Sequence, residues 1–229
     1  MFFDYYYLIL VVPALLIATW AQIRVKSTYH KYNTFYNSRN LTASEAARMI
    51  LDANGLYDVM IQRVAGELSD HFDPRDNVVR LSDSTYSSTS VGAIGVATHE
   101  VGHAVQHATG YFPIKIRSAI IPITNIGSKL SLPLILIGFI FQYGFLVDIG
   151  LILFSTLTVF QLVTLPVEFN ASRRAMKTIE EMNILYGEEL SGARKVLSAA
   201  AMTYVAALFV SLMQLLRLVL IFGRRGRDD

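Results

Sequence analysis

The pentapeptide His99-Glu100-Val101-Gly102-His103 holds the residues of this chain best suited to chemistry. On an α-helix the fourth residue on lies about 40° round and roughly 6 Å up, so His99 and His103 can offer both imidazoles to one metal ion. Glu100 stands beside them, near enough to act on water at the metal without holding the metal itself. That is why the spacing His-Glu-x-x-His suits zinc hydrolysis. The competing explanation is a coincidental pair of surface histidines, a pattern expected by chance in roughly one chain of this length in a hundred. The chain has no cysteine. This excludes disulfides, thiolate sites and a cysteine nucleophile together, so a metal must be held by histidine and carboxylate.

A zinc hydrolase needs a third protein ligand and keeps one position for water. His107 continues the i+4 series, but eight residues of unbroken helix lift it about 12 Å from His99, beyond the reach of metal bonds of roughly 2 Å. Folding it back would require a glycine between 103 and 107, and the glycine comes at Gly110. His107 is therefore expected beside the ligands or in the substrate cleft. Among the carboxylates Glu168 stands out, because it follows a long apolar block and opens the amphipathic run Glu168-Phe169-Asn170-Ala171-Ser172-Arg173-Arg174-Ala175. A carboxylate at such a boundary is costly to bury unless it pairs or binds metal. It would also serve as an ordinary first-turn glutamate favoured by the helix dipole. On the residues alone the two explanations stand level.

The elements around the motif can be read from local signals. Thr42-Ala43-Ser44-Glu45 is a capping box, followed by Ala46, Ala47, Met49, Ile50 and Leu51 and by Gly55, which predicts a helix over 43–54. Val59 to Val64 and Val78 to Leu81 are β-prone, and Asp73-Pro74-Arg75-Asp76-Asn77 between them is rich in turn formers. A small hairpin or edge strand is expected ahead of the motif, and Val78 to Leu81, with Val79 at its centre, is a candidate to take an extended substrate as an added strand. Ser82 to Ser90 then reads as a loop, and Gly92 to Ala108 as a helix ended by Gly110. His71, His107, Arg173 and Arg174 are the candidates for stabilising an oxyanion, each with an ordinary surface or structural role as the alternative.

What carries these elements is a membrane protein. A hydrophobic fraction of 53% with only 17% charged residues and a mean hydropathy of +0.41 exceed soluble norms, and the apolar residues lie in long blocks. A net charge of +2, with no basic stripe interleaved with aromatics, excludes nucleic acid as a partner. Tyr5 to Ile23 can span a core of about 30 Å; Asp4 in place of a basic start, and the lack of a small-x-small site before Arg24, favour an anchor over a cleaved signal peptide. The blocks Leu132 to Tyr143 and Phe145 to Leu165 read as a helical hairpin whose first arm recruits part of Ile116 to Ser131, with Lys129 buried in protein or reaching the interface. Ala199 to Phe222, with Gln214 and Arg217, either spans or lies along the interface.

The expected organisation is an anchor over 5–23, a catalytic domain over 24–117, a transmembrane hairpin over 118–165, a third-ligand segment over 166–198, the last apolar helix over 199–222 and a basic tail over 223–229. No repeat or low-complexity linker interrupts it, and no feature specifies an oligomer. Arg24, Lys26, Lys31, Lys115, Arg117, Arg173, Arg174 and Lys177 flank three span ends, whereas the turn at Tyr143 has no basic residue. The catalytic domain should then face the cytoplasm. Arg224, Arg225 and Arg227 run against this if the last block spans.

His99-Glu100-Val101-Gly102-His103-Ala104-Val105-Gln106-His107, followed by Pro166-Val167-Glu168-Phe169-Asn170-Ala171-Ser172-Arg173-Arg174-Ala175, resembles the YugP-type membrane zinc metallopeptidases of bacteria. The similarity extends to Asp70-His71-Phe72-Asp73-Pro74-Arg75 and Val78-Val79-Arg80-Leu81-Ser82, so it covers most of the chain. More remotely the sequence is similar to the HtpX and CAAX-protease group, whose third ligand lies in Glu-x-x-Ala-Asp-x-x-Ala. The resemblance implies His99, His103 and Glu168 as ligands of one zinc ion per chain, Glu100 as general base and the bacterial plasma membrane as location. Ser172 stands where the remote group has aspartate, and a hydroxyl orients a ligand histidine more weakly than a carboxylate does.

The reading is a mainly α membrane protein with three to four transmembrane helices and a small α+β, zincin-like catalytic domain. It is expected to hydrolyse peptide bonds in peptides or membrane proteins from within the bilayer's reach. Two other readings remain. A site-2-type intramembrane protease would take Asp148, in Asp148-Ile149-Gly150, as third ligand, although twenty residues of helix, about 30 Å, separate it from Glu168. A membrane scaffold with a structural zinc would have no use for Glu100, since a structural site closes its fourth position.

Overall fold

The computed structural model describes residues 4–222. It is a mainly α membrane protein with one small sheet: α1 (Val12–Asn33), continuous with a π turn at Tyr7–Val11, then α2 (Ala43–Ala53), β1 (Met60–Val64), β2 (His71–Asp73), β3 (Val78–Ser82), α3 (Val91–Ala108), α4 (Phe112–Ile140), α5 (Gly144–Glu181) and α6 (Glu188–Phe222). Four helical stretches, Tyr7–Asn33, Phe112–Ile140, Gly144–Glu181 and Glu188–Phe222, are long and apolar enough to cross a membrane. The basic tail expected over 223–229 lies outside the described residues.

The chain forms two compact units. Among the described residues, one comprises 4–22, 115–166 and 203–222. Here α4 and α5 approach through glycine. A Cβ on Gly127 would sit 2.7 Å from the Leu153 carbonyl oxygen, and one on Gly150 would sit 2.8 Å from that of Ser131. Small residues at such crossings let backbones close without a hydrophobic drive between helices. Ile135, Phe154 and Leu218 form the small buried cluster of this unit. One half-buried charge pair lies in it: the Arg217 guanidinium is 2.5 Å from the Asp4 carboxylate and over the Tyr7 ring.

The other unit comprises 23–114 and 167–202 and carries the motif helix. The capping box predicted at Thr42 is complete, with Thr42 accepting from the Glu45 amide and Glu45 accepting from the Thr42 amide, and α2 buries Ala43, Ala46, Ala47, Ile50 and Leu51. These meet Val91, Ile94, Ala97, Val101 and Ala104 of α3, together with Ile179 and Val196, in one core. Ser90 caps α3 by accepting from the Ala93 amide. At the other end Gly110 takes φ +62°, and the Gly110 and Tyr111 amides return to the His107 and Gln106 carbonyls. That pair of bonds is the left-handed glycine stop foreseen from the sequence.

The sheet departs from expectation. Its order is β1-β3-β2, with β1 and β3 parallel in register Met60↔Val78 to Val64↔Ser82. The hairpin is formed instead by β2 and β3, antiparallel with Phe72↔Val79. The Asp73–Asn77 turn therefore connects neighbours, while β1 pairs directly with β3 and β2 lies on the far edge. Val79 sits fully buried in a strand paired on both sides. The proposal that Val78 to Leu81 could accept a substrate strand is overturned, because both edges of that strand are already occupied.

Candidate active site

His99, Glu100 and His103 occupy successive turns of α3, and Glu168 faces them from α5. His99 Nε2 lies 3.3 Å from Glu168 Oε2, and His103 Nε2 lies 3.5 Å from the same oxygen. The two imidazoles stand edge to face, 4.7 Å between centroids. Glu168 is 2% exposed, and the histidine side chains are 14% and 12% exposed. One ligand atom from each of the three lies within 4.8 Å of the others. Two ligands held at about 2 Å by one tetrahedral ion sit roughly 3.3 Å apart. The observed spacings and the two-nitrogen, one-oxygen donor set therefore fit zinc.

This convergence depends on Gly102. A Cβ there would meet the Ala171 carbonyl oxygen at 2.7 Å and the Ala171 carbonyl carbon and Cα at 3.2 Å, so only glycine allows α3 and α5 to approach this closely. Gly95, one helix segment earlier, faces Ala193 at an ordinary 3.6 Å. The motif's second variable residue is thus fixed by packing between the two helices that carry the candidate ligands.

The histidine rings are held from behind. Ser172 Oγ lies 3.1 Å from His99 Nδ1, so the hydroxyl in the position of the remote group's aspartate does reach this candidate ligand. Gln106 Oε1 lies 3.0 Å from His103 Nδ1. Both rings consequently turn Nε2 toward Glu168. Glu100 is held by the sheet: the Phe72 amide of β2 donates to Glu100 Oε2 at 3.1 Å. Desolvation pushes the Glu100 carboxyl above its ordinary range, against the pull of His99 and His103. Burial alone would lower His103, but the Glu168 carboxylate, the Glu100 charge and the Gln106 contact together hold it above the usual histidine range.

The remaining candidates fall around this centre. His107 is exposed, lies against the Phe72 ring at 5.9 Å and is not in the ligand group. His71 is exposed on β2 with Nδ1 on the Ser69 carbonyl. Arg173 is exposed on α5. Arg174 turns inward, its Nε donating to Asn170 Oδ1 at 2.8 Å and its guanidinium lying over the Tyr111 ring. It is a clamp within the site's framework rather than a free donor. Asp148 is exposed in the first turns of α5, in the other unit, and is not in the ligand group. Sequence reasoning missed Phe72, whose contribution is a backbone amide, and it assigned no role to Gln106 or Asn170, although all three stood in the quoted motifs.

A helix-borne His-Glu-x-x-His converging with a buried glutamate from a second helix defines a zinc-peptidase type of site. The comparison with known proteins agrees. Residues 7–223 match the family described as "Putative neutral zinc metallopeptidase", and the chain belongs to that family. It is also similar to the protein described as "Putative membrane protease YugP" of Bacillus subtilis (strain 168), with 48% identity over 97% of this chain and 99% of that protein. No solved structure matches it.

Proposed function

We propose that this protein is a membrane-embedded zinc metalloendopeptidase that cleaves peptide bonds in extended segments of peptides or membrane proteins. The observation that carries the proposal is the meeting of His99, His103 and Glu168 within 4.8 Å, with Glu100 one residue along the helix from the first ligand. These three side chains would hold one zinc ion. Zinc bound there supplies Lewis acidity, bringing the pKa of a water molecule down to about 7.

The chain's own residues do the rest. Glu100 takes the proton from the attacking water and delivers it to the leaving amine nitrogen. Its Oε2 is held by the Phe72 amide, which leaves Oε1 to carry the proton. A carboxyl raised by desolvation binds that proton more readily than an exposed glutamate would, which suits a group that must hold it between two steps. We place the substrate beside Glu100 where β2, paired on one side only, meets α3; the outward Phe72 amide is already donated to Glu100 Oε2, so that amide orients the base and does not bind the peptide. In membrane terms, we place the unit carrying the site on the cytoplasmic side of a bacterial plasma membrane, as the basic residues beside three span ends support.

Zinc content, together with cleavage of casein or an unfolded membrane protein by the purified chain in detergent, tests the reading. Glu100→Gln should keep its zinc and lose roughly 10²–10⁴-fold in cleavage rate. Equal cleavage by wild type and Glu100→Gln would sink it.

A further inference from the structure

The site contains a hydrogen-bond chain, Arg174–Asn170–Gln106–His103, whose direction can be read without ambiguity. Gln106 is fully buried. Its Nε2 donates to the Val167 backbone carbonyl at 2.8 Å and to Asn170 Oδ1 at 3.0 Å. A backbone carbonyl can only accept, so the amide nitrogen must be the end that faces Val167; the flipped amide would set oxygen against oxygen. Asn170 is fixed in the same way. Arg174 Nε can only donate, so Asn170 must present its oxygen to it. Between them, Val167 and Arg174 leave Gln106 one orientation, with Oε1 toward His103 Nδ1. An amide oxygen only accepts, so His103 must carry its proton on Nδ1 and offer Nε2 toward Glu168.

From this chain we infer that Gln106 is a positioning residue that selects the metal-binding nitrogen of His103, resting on the zinc reading above. His99 has no such selector: its Nδ1 partner is the Ser172 hydroxyl, which donates or accepts with equal ease. The two ligand histidines are thus held by different means. His103 is locked to coordination through Nε2 before any metal arrives, and His99 adapts. Pre-setting one imidazole removes part of the ordering cost of metal capture, and partners of this kind typically alter metal affinity by about 10–100-fold.

The test uses the full-length protein in detergent. Histidine-selective ¹⁵N NMR of the zinc-loaded wild type, with the His103 signal assigned by its loss in His103→Gln, reads the ring directly; five histidines in the chain keep the spectrum simple. The inference expects a proton on His103 Nδ1. Zinc affinity, measured by competition against a chromophoric chelator, should fall about 10–100-fold in Gln106→Met and only a few-fold in Ser172→Ala. A His103 ring coordinating through Nδ1, or Gln106→Met binding zinc as tightly as wild type, overturns the inference. If Gln106→Met does not fold, the wild-type spectrum alone decides. Failure of the underlying reading looks different: wild type would take up no zinc, or His99→Ala would take up as much, and the inference would fall with it.

Discussion

At the scale of single residues the site separates the proposed ligands from the proposed base by what each side chain touches. Glu168 offers one carboxylate oxygen to both imidazoles, whereas Glu100 is bonded to a backbone amide of the sheet. Substitution should therefore split two properties. Glu168→Gln replaces a charged oxygen with a neutral amide and should lower zinc affinity by at least tenfold and abolish cleavage with it. Asp148→Asn should change neither, and loss of zinc in that variant, measured by metal analysis after dialysis, would transfer the third-ligand role to Asp148. The histidine pair and its glutamate were legible in the sequence because i+4 spacing on a helix is a local property. Glu168 became distinctive only through the resemblance, since a sequence does not say which carboxylate a fold brings back. Gln106 escaped because glutamine ligates no zinc. The one available signal was a polar side chain at an inward position of an apolar helix face, three residues beyond His103. Phe72 left no signal at all, because what it contributes is common to every residue but proline.

At the scale of elements the decisive contact is the crossing of α3 and α5 at Gly102. A Cβ 2.7 Å from a backbone oxygen cannot be relieved by a rotamer change, so Gly102→Ala must push the two helices apart. It should destabilise the protein by roughly 1–3 kcal/mol, as overpacking of a close-packed interior does, and it should weaken zinc binding, because His99 and His103 lie on one of those helices and Glu168 on the other. Gly95→Ala is the control. Its Cβ finds ordinary contacts, and replacing a mid-helix glycine with alanine gains about 0.5–1 kcal/mol. Thermal unfolding and chelator competition on both variants check this, and a Gly102→Ala protein with wild-type zinc affinity would refute the packing argument. Elements with strong end signals were readable in advance: the Thr42 capping box and the Gly110 stop each fixed a boundary from a few neighbouring residues. The sheet was not. β2 is three residues, His-Phe-Asp, too short for an alternating pattern, and parallel pairing of β1 with β3 depends on a path through space that no local composition encodes.

At the scale of the whole molecule, Arg217 tests whether α6 belongs in the bilayer. An arginine in an apolar helix costs about 2.5–3.5 kcal/mol at the centre of a membrane unless it is paired. Here it pairs with Asp4, which comes from the opposite end of the sequence and was invisible as its partner. Removing Asp4 alone leaves a cation with its counter-charge gone. Asp4→Asn should thus lower stability by roughly 1–3 kcal/mol, between the values for exposed and buried pairs. In Asp4→Asn with Arg217→Gln part of that loss should return. Additive melting shifts across the four proteins in detergent would show that the pair contributes nothing.

Topology follows from the same four helices. If all four stretches cross the bilayer, the segment between α1 and α4 and the turn between α5 and α6 share one side, while the three-residue connection Phe141–Tyr143 lies on the other. The orientation proposed above puts the first of these in the cytoplasm, because Lys and Arg close to span ends resist translocation. Arg24, Lys26 and Lys31 lie in the last turns of the first helix, beyond its apolar stretch, and the Phe141–Tyr143 connection has no Lys or Arg. The chain has no cysteine, so single reporters can be read without background. Ser87 and Tyr143 are both exposed, in the polar loop before α3 and in the short connection respectively. In intact cells an impermeant maleimide should label Tyr143→Cys and leave Ser87→Cys untouched, and permeabilisation should make Ser87→Cys reactive. Labelling of Ser87→Cys from outside would reverse the orientation and place the zinc site on the outer face, where its substrates would be exported rather than cytoplasmic. Labelling of both sites from outside would mean that α4 does not cross, and the hairpin of α4 and α5 would have to lie along the membrane surface despite its mean hydropathy of 1.6 and 2.0 in the two arms.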